Sequence, residues 1–112
     1  MYSRSELITK SAPCVSDIRW SEQRRSITIG RRSIILTPLE YQLLYALHHG
    51  KAVNYAQLAS NVYGCSMDKK VREMIDKHID KVRGKLRGMG FYVYCIHGYG
   101  YILLADEWWD ED

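Results

Sequence analysis

Residues 68 to 87 read DKKVREMIDKHIDKVRGKLR, and the spacing of their apolar positions decides how the rest of the chain is read. Val71, Ile75, Ile79, Val82 and Leu86 recur at intervals of four, four, three and four, which places them in one stripe along an α-helix. Glu73, Lys77, Asp80, Lys81 and Gly84 rotate away from that stripe. A helix held to a core along one face and charged along the other has a form that enters a DNA major groove. It is also the form of any solvated surface helix, so the flanking sequence has to separate the two.

Upstream, Thr37-Pro38-Leu39-Glu40 sets a capping hydroxyl, a proline at the first helical position and a glutamate three residues after the cap. Leu39, Leu43, Leu44 and Leu47 then form an apolar face, and Gly50 ends the helix. Asn54 to Gln57 repeats the device and opens a short helix with Leu58 and Val62 inward, ended by Gly64. A link through Cys65 to Met67 leads to the long helix, capped by Ser66 or Asp68. Downstream, after Gly88 and Gly90, FYVYCI, HGYG and YILL read as strand, glycine-flanked turn and strand. In the N-terminal third, VSDIRW (15–20) alternates as a weak strand with Ile18 and Trp20 inward. SITI and SIILT then flank Gly30-Arg31-Arg32 as a hairpin. The order predicts an α+β fold: an N-terminal antiparallel sheet, three helices forming a helix-turn-helix, and a C-terminal β-hairpin wing.

At 112 residues the chain is long enough for one domain with its own core. We expect residues 1–14 to be a loose N-terminus, 15–105 the domain and 106–112 an acidic tail. No apolar run reaches the length of a membrane span and MYSRSELITK has no signal-peptide core, which points to a cytoplasmic protein. Cys14, Cys65 and Cys95 are scattered and odd in number, so reduced thiols are expected. With His48, His49, His78 and His97 they form no local metal clamp, and neither cofactor nor metal is expected. Nor do a nucleophile, base and orienting group stand in a recognisable arrangement, which argues against an enzyme. The net charge of +3 conceals an asymmetry, because DEWWDED (106–112) carries five acids and leaves +8 on residues 1–105. Residues 68–87 alone hold eight Lys/Arg against four Asp/Glu, a balance suited to a polyanion.

LTPLEYQLLYAL, NYAQLASNVYG, HIDKVRGKL and HGYGYIL, in this order and spacing, resemble the OmpR/PhoB-type winged-helix effector domain of bacterial response regulators. The resemblance runs from about Val15 to Leu104. It implies a four-stranded N-terminal sheet, a third helix in the major groove and a wing toward the minor groove. Carried over by position, it implies groove-facing residues Glu73, Met74, Lys77, His78, Lys81 and Arg83, with Asp80 beside them, and leaves Lys85 available for backbone or guanine contacts. His97 and Cys95 fall where the wing meets DNA, and Tyr55 and Tyr63 where phosphates are touched. Response regulators of this type carry a receiver domain, for which the 14 residues before the first strand are too few. The expectation is a stand-alone factor on double-stranded DNA, as a homodimer on direct repeats, with RNA polymerase as a further partner.

The departures from the family pattern are informative. Tyr55, Glu73, Asp80 and His97 stand where the family usually carries basic residues, and an acid facing a phosphate repels it. Glu73 and Asp80 are nevertheless able to accept a hydrogen bond from cytosine N4. Asp76 is counted with them as breaking up the positive face. His78 reads equally as a half-buried packing residue or a DNA contact. Tyr92, Tyr94, Tyr99 and Tyr101 read as cross-strand packing, with base stacking as the alternative. Trp108 and Trp109 among acids suit a partner surface, a return over the basic helix or a frayed end. A second reading of the chain stays open: a winged-helix interaction module that binds RNA polymerase or another regulator and has little DNA affinity.

Overall fold

Alternation of side chains builds the N-terminal sheet. In the computed structural model, which describes residues 14–106, β1 (Arg19–Ser21), β2 (Ser26–Ile29) and β3 (Arg32–Ile35) pair antiparallel in sequence order. Trp20, Ile27 and Ile34 lie opposite one another in the register and form a row toward the core, with Ile27 fully buried. Gly30, with φ of 63°, opens the two-residue turn that joins β2 to β3. The strand expected from Val15 starts only at Arg19. Val15–Asp17 is instead a single 3₁₀ turn, fixed by the Asp17 carboxylate accepting from the Cys14 N–H at 2.9 Å. The N-terminal sheet has three strands among the described residues, where the resemblance implied four. Residues 1–13 and the tail beyond Asp106 lie outside the description.

The three helices start at the capping residues. α1 (Pro38–Tyr45) opens on a reciprocal box, in which Thr37 Oγ1 accepts from Glu40 N–H and Glu40 Oε1 accepts from Thr37 N–H. Leu43, Leu44 and Leu47 are buried as expected, whereas Leu39 is only half-buried and Tyr41 takes an inward position. β4 (Val53–Asn54) leads into α2 (Tyr55–Leu58), where Asn54 and Gln57 form the same box. α2 continues as a wide π-turn over Ala59–Tyr63 and stops at Gly64, whose φ of 67° suits a residue with no side chain. α3 (Lys69–Leu86) is capped by Asp68, not Ser66, through its carboxylate and the Val71 N–H at 2.8 Å. Ile75, Ile79, Val82 and Leu86 are buried and Val71 packs on their cluster, so the stripe read from the sequence is the inward face.

The C-terminal hairpin joins β5 (Phe91–Ile96) to β6 (Gly100–Ala105) through His97-Gly98-Tyr99. The sheet order is β4-β6-β5, so the two residues of β4 close one side of β6 and β5 is an edge strand. Gly100 makes this pairing possible. A Cβ there would lie 2.0 Å from the Val53 carbonyl oxygen, inside the van der Waals limit. Phe91, Val93 and Leu103 complete a core shared by both sheets and all three helices.

Candidate nucleic-acid interface

Which side chains α3 offers to a partner follows from what its neighbours hold. Its outward face carries Lys70, Glu73, Lys77, Asp80, Lys81 and Gly84, all exposed, with Met74 at 38% exposure on one edge. Lys70, Lys77 and Lys81 have no ion-pair partner among the described residues. Asp80 pairs with Arg83 at 3.2 Å one turn along the same helix, which offsets its charge locally. The open face thus carries three lysines and Glu73 without ion-pair partners among the described residues. Gly84 leaves a gap in this face, since a Cβ there meets nothing within 4 Å.

Several residues assigned to the interface by position have other work. Asp76 does not break up the open face but turns toward the hairpin. Its Oδ1 accepts the Tyr55 hydroxyl at 2.6 Å and the Tyr101 hydroxyl at 2.5 Å. Tyr55 is a buried residue whose ring lies 5.7 Å from that of Tyr101 and 4.5 Å beneath the Arg72 guanidinium. Its N–H donates to the Tyr99 carbonyl. Tyr55 is thus a packing and bridging residue and not the surface phosphate contact expected of it. Burial first, then the bond to Asp76, pushes the hydroxyl pKa of both Tyr55 and Tyr101 above the usual tyrosine value.

Arg83 and Lys85 are also engaged. Arg83 Nε donates to the Val93 carbonyl at 2.9 Å, and its guanidinium lies 5.0 Å from the Tyr92 ring centre, so it binds α3 to β5. Lys85 Nζ donates to Glu40 Oε1 at 2.6 Å, binding α3 to α1. Burial pushes the Glu40 carboxyl up, but the Lys85 bond, the Thr37 N–H and the Lys85 charge outweigh it and hold the pKa below its ordinary value. Both cations therefore leave the group of free groove contacts. His78 resolves toward packing: half-buried, its Nδ1 lies 2.9 Å from the Met74 carbonyl and 3.2 Å from the Tyr63 hydroxyl. Tyr63 is half-buried against it, at the end of the π-turn. His97 and Tyr99 are exposed at the tip of the hairpin, and Cys95 is exposed on β5. Tyr92 and Tyr94, two residues apart on β5, pack edge to face at 5.0 Å along one strand, and Tyr101 is buried with its ring against that of Tyr55.

The structure also shows features that sequence patterning missed. Trp20, Tyr41, Tyr45 and His48 form a run of ring contacts between β1 and α1, including a stacked Tyr45–His48 pair at 4.0 Å. No group of three His, Cys, Asp or Glu residues able to hold a metal exists among the described residues. No helix among them is long and apolar enough to cross a membrane.

The geometry is that of a winged helix-turn-helix, and the family described as "Transcriptional regulatory protein, C terminal" matches residues 30–103. The chain belongs to this family. It is an OmpR/PhoB-type winged-helix domain, the DNA-binding part of transcriptional regulators and not an enzyme. Among solved structures it is similar to the DNA-binding domain of CpxR from E. coli. That pair has a TM-score of 0.67 and 25% identity, over 84% of this chain and 98% of the other. The AdeR DNA-binding domain, solved in complex with an intercistronic region, gives 0.64 and 22% over 80% of this chain and 94% of that one. The Klebsiella pneumoniae RstA DNA-binding domain, solved with the RstA box, gives 0.63 and 20% over 79% and 91%. No curated protein sequence matches the chain.

Proposed function

We propose that this chain is a cytoplasmic transcription factor that binds double-stranded DNA, with α3 in the major groove and the hairpin tip against the backbone or minor groove. The observation that carries this reading is the open face of α3. Lys70, Lys77 and Lys81 stand there without ion-pair partners among the described residues, while Asp76 faces the hairpin and Asp80 pairs with Arg83. Free lysines on an exposed helix face release counterions from DNA when they meet phosphates. Glu73 and Met74 beside them supply an acceptor for cytosine N4 and an apolar contact for a thymine methyl. His97 at the tip takes the wing contact. Related domains have been solved on DNA, which supports the same use of this surface. One such surface is small, and two copies on direct repeats would raise the affinity.

Selection of bound duplexes from a random library tests the reading and returns the repeat spacing. On the selected duplex, Lys77→Ala and Lys81→Ala should each weaken binding several-fold. Unchanged affinity in both would remove α3 from the groove. Absence of any binding to random duplex, even at low salt, would instead favour a protein-docking role with RNA polymerase as the partner.

A further inference from the structure

One cation of α3 stands apart from the lysines of its outward face. Arg72 is exposed and has no ion-pair partner among the described residues. Its guanidinium is nevertheless held, over the ring of Tyr55 and 4.5 Å from the ring centre. That ring is itself fixed. Tyr55 is 5% exposed, its hydroxyl donates to Asp76 Oδ1 at 2.6 Å, and its ring meets that of Tyr101 in a T-shaped contact at 5.7 Å. A guanidinium carries five N–H donors, and a ring face with the hydroxyl beside it engages only part of them. The others stay open to a ligand.

The place of this guanidinium says which ligand. Asp76, one turn further along α3, faces the hairpin, so Arg72 lies on the same flank, between the outward lysines and the wing. Tyr55 beneath it opens α2, and its N–H donates to the Tyr99 carbonyl at the end of the hairpin turn at 3.0 Å. α2, α3 and the wing thus meet under one cation. With α3 in the major groove and the hairpin tip against the backbone or minor groove, the sugar–phosphate strand that separates the grooves would pass over this junction. We propose that Arg72 contacts a phosphate of that strand and that Tyr55 is the residue that positions it. The inference rests on the DNA-binding reading above. The nearest acids leave the charge unpaired: Glu73 projects with the outward face, and half-buried Asp76 gives Oδ1 to two tyrosine hydroxyls and forms no ion pair with Arg72. A free arginine loses rotamer freedom when it binds, and a ring that already holds it reduces that loss. The planar fork also suits two oxygens of one phosphate, which a lysine does not match.

Arg72 is exposed, so Arg72→Ala should fold as the native chain does. It should weaken binding to a selected duplex and to random duplex by the same factor, about tenfold at low salt, because a phosphate contact carries no sequence. The slope of log affinity against log salt should become shallower by about 0.9, separately from what the outward lysines contribute. Arg72→Lys should restore the slope but only part of the affinity. For Tyr55 the readout is coupling. Tyr55→Leu removes the ring face, and in that background Arg72→Ala should cost clearly less than in the native chain, whereas Tyr55→Phe should keep the full Arg72 effect. If Tyr55→Leu does not fold, the native chain answers by NMR, where the Tyr55 ring current should move the Arg72 δ-methylene and Nε–H signals upfield. Arg72 signals at random-coil positions, or an Arg72→Ala cost that Tyr55→Leu leaves unchanged, would remove Tyr55 from the positioning role. Native binding that Arg72→Ala leaves intact would overturn the inference alone. Loss on the selected duplex with random binding unaltered would make Arg72 a base reader and overturn it as well. No binding of the native chain to any duplex at low salt would defeat the DNA reading and this inference with it.

Discussion

Asp76 joins three elements through one oxygen: it sits on α3 and accepts hydroxyls from Tyr55 at the start of α2 and Tyr101 on β6. Both tyrosines are about 95% buried, so a hydroxyl that loses this acceptor has no access to water in exchange. Asp76→Ala should therefore lower the unfolding free energy by about 2–4 kcal/mol in urea titrations, the order expected for two stranded buried hydroxyls. Asp76→Asn keeps a side-chain oxygen and should cost less. The same cluster predicts an alkaline limit. The hydroxyl pKa of Tyr101 is raised in the folded state, so the folded protein keeps its proton where the unfolded chain has lost it. The stabilisation is full below the ordinary tyrosine value of about 10 and declines as pH rises above it. Tyr101→Phe should flatten that decline when Tm is followed from neutral pH to above pH 10.

At the scale of elements, two glycines have opposite meanings. Gly84 lies inside α3 with open space around it, so Gly84→Ala should stabilise the fold by roughly 0.5–1 kcal/mol through helix propensity. Gly100 has backbone where its Cβ would be, so Gly100→Ala should separate β6 from β4 and lower Tm by several degrees or more. Thermal unfolding followed by circular dichroism checks both. These elements also show what the sequence discloses. The boxes at Thr37 and Asn54 and the stripe from Val71 to Leu86 are local or periodic, so they were legible from spacing alone. β4 was not, because two residues carry no period. Neither was the π-turn at Ala59–Tyr63, whose sequence continues a helix without a break. The roles of Asp76, Arg83 and Lys85 depend on partners 10 to 45 residues away. A helical projection gives an angle but not a neighbour, which is why Asp76 was placed on the open face and Lys85 among the free cations.

For the molecule as a whole, charge counts for less than where it is free. Arg83 and Lys85 serve the fold, leaving Lys70, Lys77 and Lys81 as the free cations of α3's outward face. Three phosphate contacts predict a slope of roughly −3 for log affinity against log salt per bound domain, doubled when two copies share a site. Filter or fluorescence titrations across a salt series measure it. A much steeper slope would mean that Arg83 or Lys85 leaves its partner on DNA. One further consequence comes from Asn54, which pairs with Gly100 as a strand residue and caps α2 as a helix residue. The wing and the helix-turn-helix thus meet in a single residue, and neither can swing without unmaking the other's end. On the DNA-binding reading proposed above, the two arms are thus set before a duplex arrives, and such a pre-set surface would lose little conformational entropy on association and leave specificity to the choice of side chains.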